Sequence, residues 1–164
     1  YNQIRKSQPN TVLVIVGDGP EREALQTQAQ EMGLAPHVIF TGSMPREAVI
    51  NCYAGADIFV FASTTETQGL VLGEAKAAGL PSVAVKALGA SEMVNHGVDG
   101  FLTDLAVDEF SKRVLQLLEN EELLRRMSAN CLVTVQEISS TNMAKKLLAA
   151  YEELLENKCC SHVG

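Results

Sequence analysis

Tryptophan is absent and aromatic residues make up only 5% of the 164-residue chain, so its 46% apolar content rests on Val, Ile, Leu and Ala. Such a composition suits an ordinary soluble α/β protein with one well-buried core. Long apolar runs are also missing. Stretches such as residues 12–16 and 58–62 fall far short of the ~20 residues that cross a bilayer. Positive charge is scarce. With 13 Lys and Arg against 20 Asp and Glu, the net charge of −7 removes the phosphate-neutralising surface on which general nucleic-acid binding depends. It does not exclude a small anionic ligand.

Cys52, Cys131, Cys159 and Cys160 include no C-x-x-C pair and have no His at zinc-ligand spacing. No metal site is therefore expected, and reduced thiols in a cytoplasmic protein are the default reading. Cys159 and Cys160 fall in residues 158–164, read as a tail behind a single domain over residues 1–157. Residues 1–6 lack the apolar core of a signal peptide, and there is no initiator Met, so the chain is expected to begin inside a longer protein. A third glycine is missing after Gly17-Asp18-Gly19, where Arg22 stands. The dinucleotide fingerprint is incomplete, and the loop is read as a turn lining another ligand. His37 and His96 have no neighbouring acid that suggests catalysis.

What is present is a regular alternation. Apolar, β-branched segments at residues 11–16, 37–40, 57–61, 81–85 and 101–103 predict strands, the first buried on both faces. Between them, helical patterns run over residues 20–32, 45–53 and 70–78, with a short helix from Ala90 or Ser91 to about Asn95. Helical periodicity then continues from Val107, breaks near Asn120, and resumes in a last helix through Leu155. This order predicts an α/β fold, a Rossmann-like doubly wound parallel sheet with helices on both faces and ligands at the carboxyl ends of the strands.

At one such end, Glu66 and Glu74 bracket Thr-Gln-Gly-Leu-Val-Leu-Gly. Helix formers from Leu70 and a stop at Gly79-Leu80-Pro81 make Gly69-Leu70 the first turn of a helix. Glu74 then shares a helix face with Leu70, ~6 Å further along the axis. Free N–H groups of the first turn and the positive helix end suit a phosphate. One acid would meet each end of a diphosphate flanked by hydroxylated groups. Lys86, at the carboxyl end of the fourth strand, is a candidate phosphate contact.

The segments Ser63-Thr64-Thr65-Glu66-Thr67-Gln68-Gly69-Leu70 and Gly73-Glu74-Ala75, with Val14-Ile15-Val16-Gly17-Asp18-Gly19-Pro20 upstream and Gly97-Val98-Asp99-Gly100-Phe101 downstream, resemble the donor-binding half of retaining GT-B glycosyltransferases of the glycogen-synthase and mannosyltransferase group. The resemblance implies one half of a GT-B fold that binds a nucleotide-diphosphate sugar, UDP-glucose first, with no cofactor and no metal. It implies that Glu66 contacts the transferred sugar, that Gly69, Leu70 and Val71 offer backbone N–H groups to the diphosphate, that Gln68 beside them belongs to the donor site, and that Glu74 holds the ribose. It further implies that Gly17 and Gly19 let the first loop approach the donor, and that Gly42, Ser43 and Met44 border the nucleobase. The Glu-Thr-Gln-Gly-Leu form is similar to diacylglycerol glucosyltransferases, so a lipid acceptor is expected. The acceptor, any membrane contact and the cations for the leaving diphosphate would come from the rest of the longer protein, peripheral at the cytoplasmic membrane.

Overall fold

The computed structural model describes residues 1–160. Its helices are α1 (Asn2–Ser7), α2 (Arg22–Glu31), α3 (Arg46–Gly55), α4 (Leu70–Ala77), α5 (Leu88–Met93), α6 (Val107–Leu118), α7 (Glu121–Thr134) and α8 (Ser140–Cys160). The strands are β1 (Leu13–Val16), β2 (Val38–Gly42), β3 (Phe59–Phe61), β4 (Ser82–Val85) and β5 (Gly100–Thr103). Every strand pairing is parallel. The strands fall into two sheets, β1-β2 and β3-β4-β5. The expected α/β class with helices on both faces is the one observed.

The β3-β4-β5 sheet holds the core because both of its faces are covered. All four residues of β4 are buried, and successive side chains point to opposite faces. Val83 joins Ile4, Phe101, Val114, Leu117 and Met127 under α1, α6 and α7. Its neighbour Ala84 joins Leu72, Ala90 and Val94 under α4 and α5.

Several expectations need correction. The first strand is not buried on both faces: Val14 and Val16 are 45% and 40% exposed. Val14 and Val16 share one face of the strand, and neither buried core cluster among the described residues includes a β1 side chain. Helix α5 begins at Leu88 rather than near Ala90 or Ser91, because extended Ala87 caps it and accepts the Ser91 amide. Helix α1 has no counterpart among the sequence expectations, since 6 residues are too few for a periodic signal. Helix α8 runs from Ser140 to Cys160. The side chains of Cys159 and Cys160, expected in the tail, lie outside those described.

Candidate functional site

Helix α4 starts from a left-handed residue. Gly69 is its N-cap, in the left-handed conformation at φ 68°, which a residue with a Cβ adopts only at a cost. Space demands glycine as well: a Cβ on Gly69 would lie 2.6 Å from the Gly89 carbonyl oxygen, and one on Gly89 would lie 2.7 Å from the Gly69 nitrogen. The loop before α4 and the start of α5 therefore touch backbone to backbone, with the Gly89 amide donating to the Glu66 carbonyl at 3.1 Å.

Within that loop the Glu66 carboxylate turns back on its own chain. Oε1 accepts from the amides of Gln68 and Gly69, each at 2.9 Å. These bonds, the Gly69 one first, hold its carboxyl below the ordinary value of 4.5. The next carbonyl-bound amides are Leu72 and Gly73, both donating to Gly69. Among the described residues Leu70 and Val71 have no acceptor for their N–H groups. Of the four backbone donors at positions 68 to 71, Glu66 thus occupies two, and two remain open to an anion.

Glu74, one helical turn further on, points toward α3. Its Oε1 accepts from Arg46 at 3.2 Å and its Oε2 from the Tyr53 hydroxyl at 3.3 Å. Burial, then the Glu74 charge, pushes the Tyr53 phenol up to about 12, so it stays a donor at neutral pH. Arg46 directly follows the Gly42-Ser43-Met44-Pro45 turn at the end of β2. That turn is tied to the β1 loop, since the Gly17 amide donates to the Gly42 carbonyl at 3.0 Å. Gly19 takes its place through a 2.9 Å bond from its amide to Asp18 Oδ1. Arg22, paired with Asp18 at 3.1 Å, packs over Gly42, where a Cβ would stand 2.6 Å from Nη1. Arg46, at the start of α3, reaches from the end of this turn to Glu74. Gly17 and Gly19 follow β1, Ser43 and Met44 follow Gly42 at the end of β2, and Leu70 and Val71 come after the loop that leaves β3, all on the carboxyl side of parallel strands. Lys86 sits apart, at a groove lined by His96, Asp104 and Glu109.

Two functional features escape sequence reasoning. Arg46 and Tyr53 lie seven residues apart on α3, a spacing that puts them on one face, but nothing in the sequence says that this face meets Glu74. The second feature is the buried pair behind α4. Lys76 Nζ lies 2.9 Å from Asp99 Oδ2, with side chains 6% and 1% exposed. Asp99 also accepts from the Asn95 amide and Nδ2, each at 2.9 Å, and from the Thr134 hydroxyl at 2.7 Å. The turn at Gly97-Val98-Asp99-Gly100 is thus an anchor for α4 and α7.

With this geometry in place, the relatives decide the family. The model of the group 1 glycosyl transferases matches residues 1–134. The chain belongs to that family. Over 124 residues this glycosyltransferase chain is 39% identical to a GDP-mannose-dependent alpha-(1-6)-phosphatidylinositol monomannoside mannosyltransferase of Mycolicibacterium smegmatis, covering 71% of the chain and 32% of the relative. It is 30% identical to the alpha-monoglucosyldiacylglycerol synthase of Acholeplasma laidlawii over 156 residues, covering 95% of the chain and 39% of the relative. Among solved structures, Anabaena HepE in complex with UDP and glucose is 28% identical, with a TM-score of 0.78 over 93% of this chain and 42% of HepE. This group 1 glycosyltransferase chain therefore spans about a third to two fifths of the length of these relatives. No helix among the described residues is long and apolar enough to cross a membrane.

Proposed function

We propose that this chain is the nucleotide-sugar-binding half of a retaining glycosyltransferase, and that the longer protein transfers a hexose, glucose from UDP-glucose, to a lipid hydroxyl of the diacylglycerol type. The observation that carries the reading is the start of α4: two unpaired amides, Leu70 and Val71, lie between Glu66 and Glu74 at the positive end of a helix. A diphosphate fits those donors. Glu74, held by Arg46 and Tyr53, would accept from the ribose hydroxyls. Glu66 would contact the sugar hydroxyls. Departure of the nucleoside diphosphate would be helped by the same backbone N–H groups, which act most strongly on charge as it develops.

The glucosyl and lipid parts draw support from the diacylglycerol synthase, similar over 95% of the chain, and from HepE with UDP and glucose. The mannosyltransferase relative makes GDP-mannose the competing donor.

Calorimetric titration of the chain with UDP, UDP-glucose and GDP-mannose tests this. UDP-glucose is expected to bind most tightly, and Glu74→Ala to weaken it by about tenfold to a hundredfold, the worth of hydrogen bonds to a charged group. No binding by any of the three overturns the donor site. Binding without transfer by the longer protein would leave a non-catalytic nucleotide-binding module.

A further inference from the structure

The last torsion of a glutamate side chain is broad and two-fold, so an accessible carboxylate turns freely unless a neighbour holds it. Glu74 has two such neighbours on α3, and they are unequal. Arg46 reaches Oε1 at 3.2 Å through a long side chain that is itself 80% exposed. A pair of that kind is loosely held, because water competes for both charges and the flexible arm has to be ordered. Tyr53 reaches Oε2 at 3.3 Å on a ring with only two torsions to fix.

That ring is mounted on the sheet. It meets Phe59 of β3 edge-on, with centroids 5.7 Å apart and planes inclined by 62°. Phe59 in turn stacks on Phe61 at 6.1 Å, and both rings pack against the cluster of Leu72, Ala84, Ala90 and Val94. The backbone beneath is fixed as well, since the Phe59 amide donates to the Pro81 carbonyl at 3.0 Å. Aromatic pairs hold preferred offset and edge-on arrangements, so the column from Phe61 through Phe59 sets where the half-buried Tyr53 presents its hydroxyl. Oε2 of Glu74 is met from one direction.

A carboxylate offers about four acceptor sites on its two oxygens. Arg46 takes one on Oε1 and Tyr53 one on Oε2, so each oxygen keeps an acceptor site open. Acceptors on two neighbouring oxygens match hydroxyls on two neighbouring carbons. We propose that Tyr53 is a positioning residue for the nucleotide ribose: by fixing the rotation of the Glu74 carboxylate it turns one free acceptor site of each oxygen outward, and so selects a nucleotide that carries adjacent 2′- and 3′-hydroxyls. The inference rests on the reading of Glu74 as the ribose contact, and it gives the rigid Tyr53, rather than the exposed Arg46, the task of orienting it.

Calorimetric titration of the chain with UDP and with 2′,3′-dideoxy-UDP, which lacks both hydroxyls, tests this through the ratio of the two dissociation constants. In the wild type the dideoxy nucleotide is expected to bind at least about tenfold more weakly, the worth of hydrogen bonds to a charged group. Tyr53→Phe keeps the ring on Phe59 and removes the hydroxyl, so it should cut that ratio by about three- to tenfold, chiefly by weakening UDP. A variant that folds poorly weakens both ligands together and leaves the ratio where it was. In a Glu74→Ala background, Tyr53→Phe should not move the ratio, because the residue through which it acts is gone. An unchanged ratio in Tyr53→Phe, or a further fall in the Glu74→Ala background, overturns the inference while the ribose reading stands. A wild type that binds both nucleotides equally overturns the ribose reading and the inference with it. GDP and 2′,3′-dideoxy-GDP are read in the same way, and no binding by either pair overturns the donor site as a whole.

Discussion

Replacing Lys76 by Met separates a structural account of the α4 anchor from an electrostatic accident. The Met side chain keeps the stem that Lys76 buries and removes the charge 2.9 Å from Asp99 Oδ2. Asp99 then remains as an anion that is 1% exposed, with its bonds from Asn95 and Thr134 but no counter-charge. Removing one partner of a buried pair costs ~3–5 kcal/mol. The surviving neutral donors put this case at the low end, ~3 kcal/mol. For a chain of this size each kcal/mol moves Tm by ~2–4 °C, so a fall of ~6–12 °C follows. Urea and thermal unfolding followed by circular dichroism measure both. The double variant Lys76→Met with Asp99→Asn leaves no buried charge, so it should recover most of the loss, to within ~1.5 kcal/mol of wild type. A loss below ~1 kcal/mol in the single variant, or a double variant no more stable than the single, would refute the reasoning.

Other perturbations give distinct signatures. Gly69→Ala forces a Cβ into a left-handed residue, ~1–2 kcal/mol by itself, and against the Gly89 oxygen at 2.6 Å; urea unfolding should show a larger total, and a change within ~0.5 kcal/mol contradicts the contact. Arg46→Ala should alter stability by less than ~1 kcal/mol, since its pair with Glu74 is exposed at 80% and 38%, and a larger loss in the same assay would show that Arg46 has a packing role. The Cys131 thiol is pushed up from 9.0 to about 12 by burial and then by the Asp99 charge. Its protonated form is favoured by the fold, so stability is unaffected below pH 9 and falls between pH 9 and pH 12. Cys131→Ser should flatten that fall in urea midpoints, and an equally steep fall assigns it elsewhere. For Glu66 the sign is reversed. Its folded carboxyl is held below 4.5, so its bond to Gly69 contributes above that pH and is lost as pH falls through the lower folded value. Glu66→Gln should abolish the acid-side shift of the Gly69 amide resonance, and persistence of that shift would assign it to another group.

The strand-helix alternation was legible because both periodicities are strong. The apolar segments before Gly17, Gly42 and Ala62 became β1, β2 and β3, and the glycine at position 69 became a helix start. The two glutamates were legible as a bracket around that start, but their partners were not. Glu66 binds within three residues of itself, yet the choice between facing a ligand and capping its own loop depends on side-chain torsions that residue spacing does not encode. Glu74 meets Arg46 and Tyr53 across 28 and 21 residues, and the Lys76–Asp99 pair is equally non-local. Such contacts follow from how α3, α4 and α7 pack, which local pattern does not fix. The exposed face of β1 has a related reason: a β-branched run shows that a strand suits a covered position, not whether a helix lies over it.

These non-local contacts explain how so short a helix keeps a defined start. Helix α4 has 8 residues, and isolated helices below ~12 residues are marginal in water. Its start is set by the backbone contact of Gly69 with Gly89, and its inner face by Lys76 on Asp99. Between these two fixings the Leu70 and Val71 amides have little freedom to turn away. Donors held in this way need little reorganisation when an anion arrives, which is where preorganised dipoles gain over water. The motif from Glu66 to Glu74 therefore does not make the site alone. Gly89 and Asp99, far along the chain, hold both ends of α4 in place.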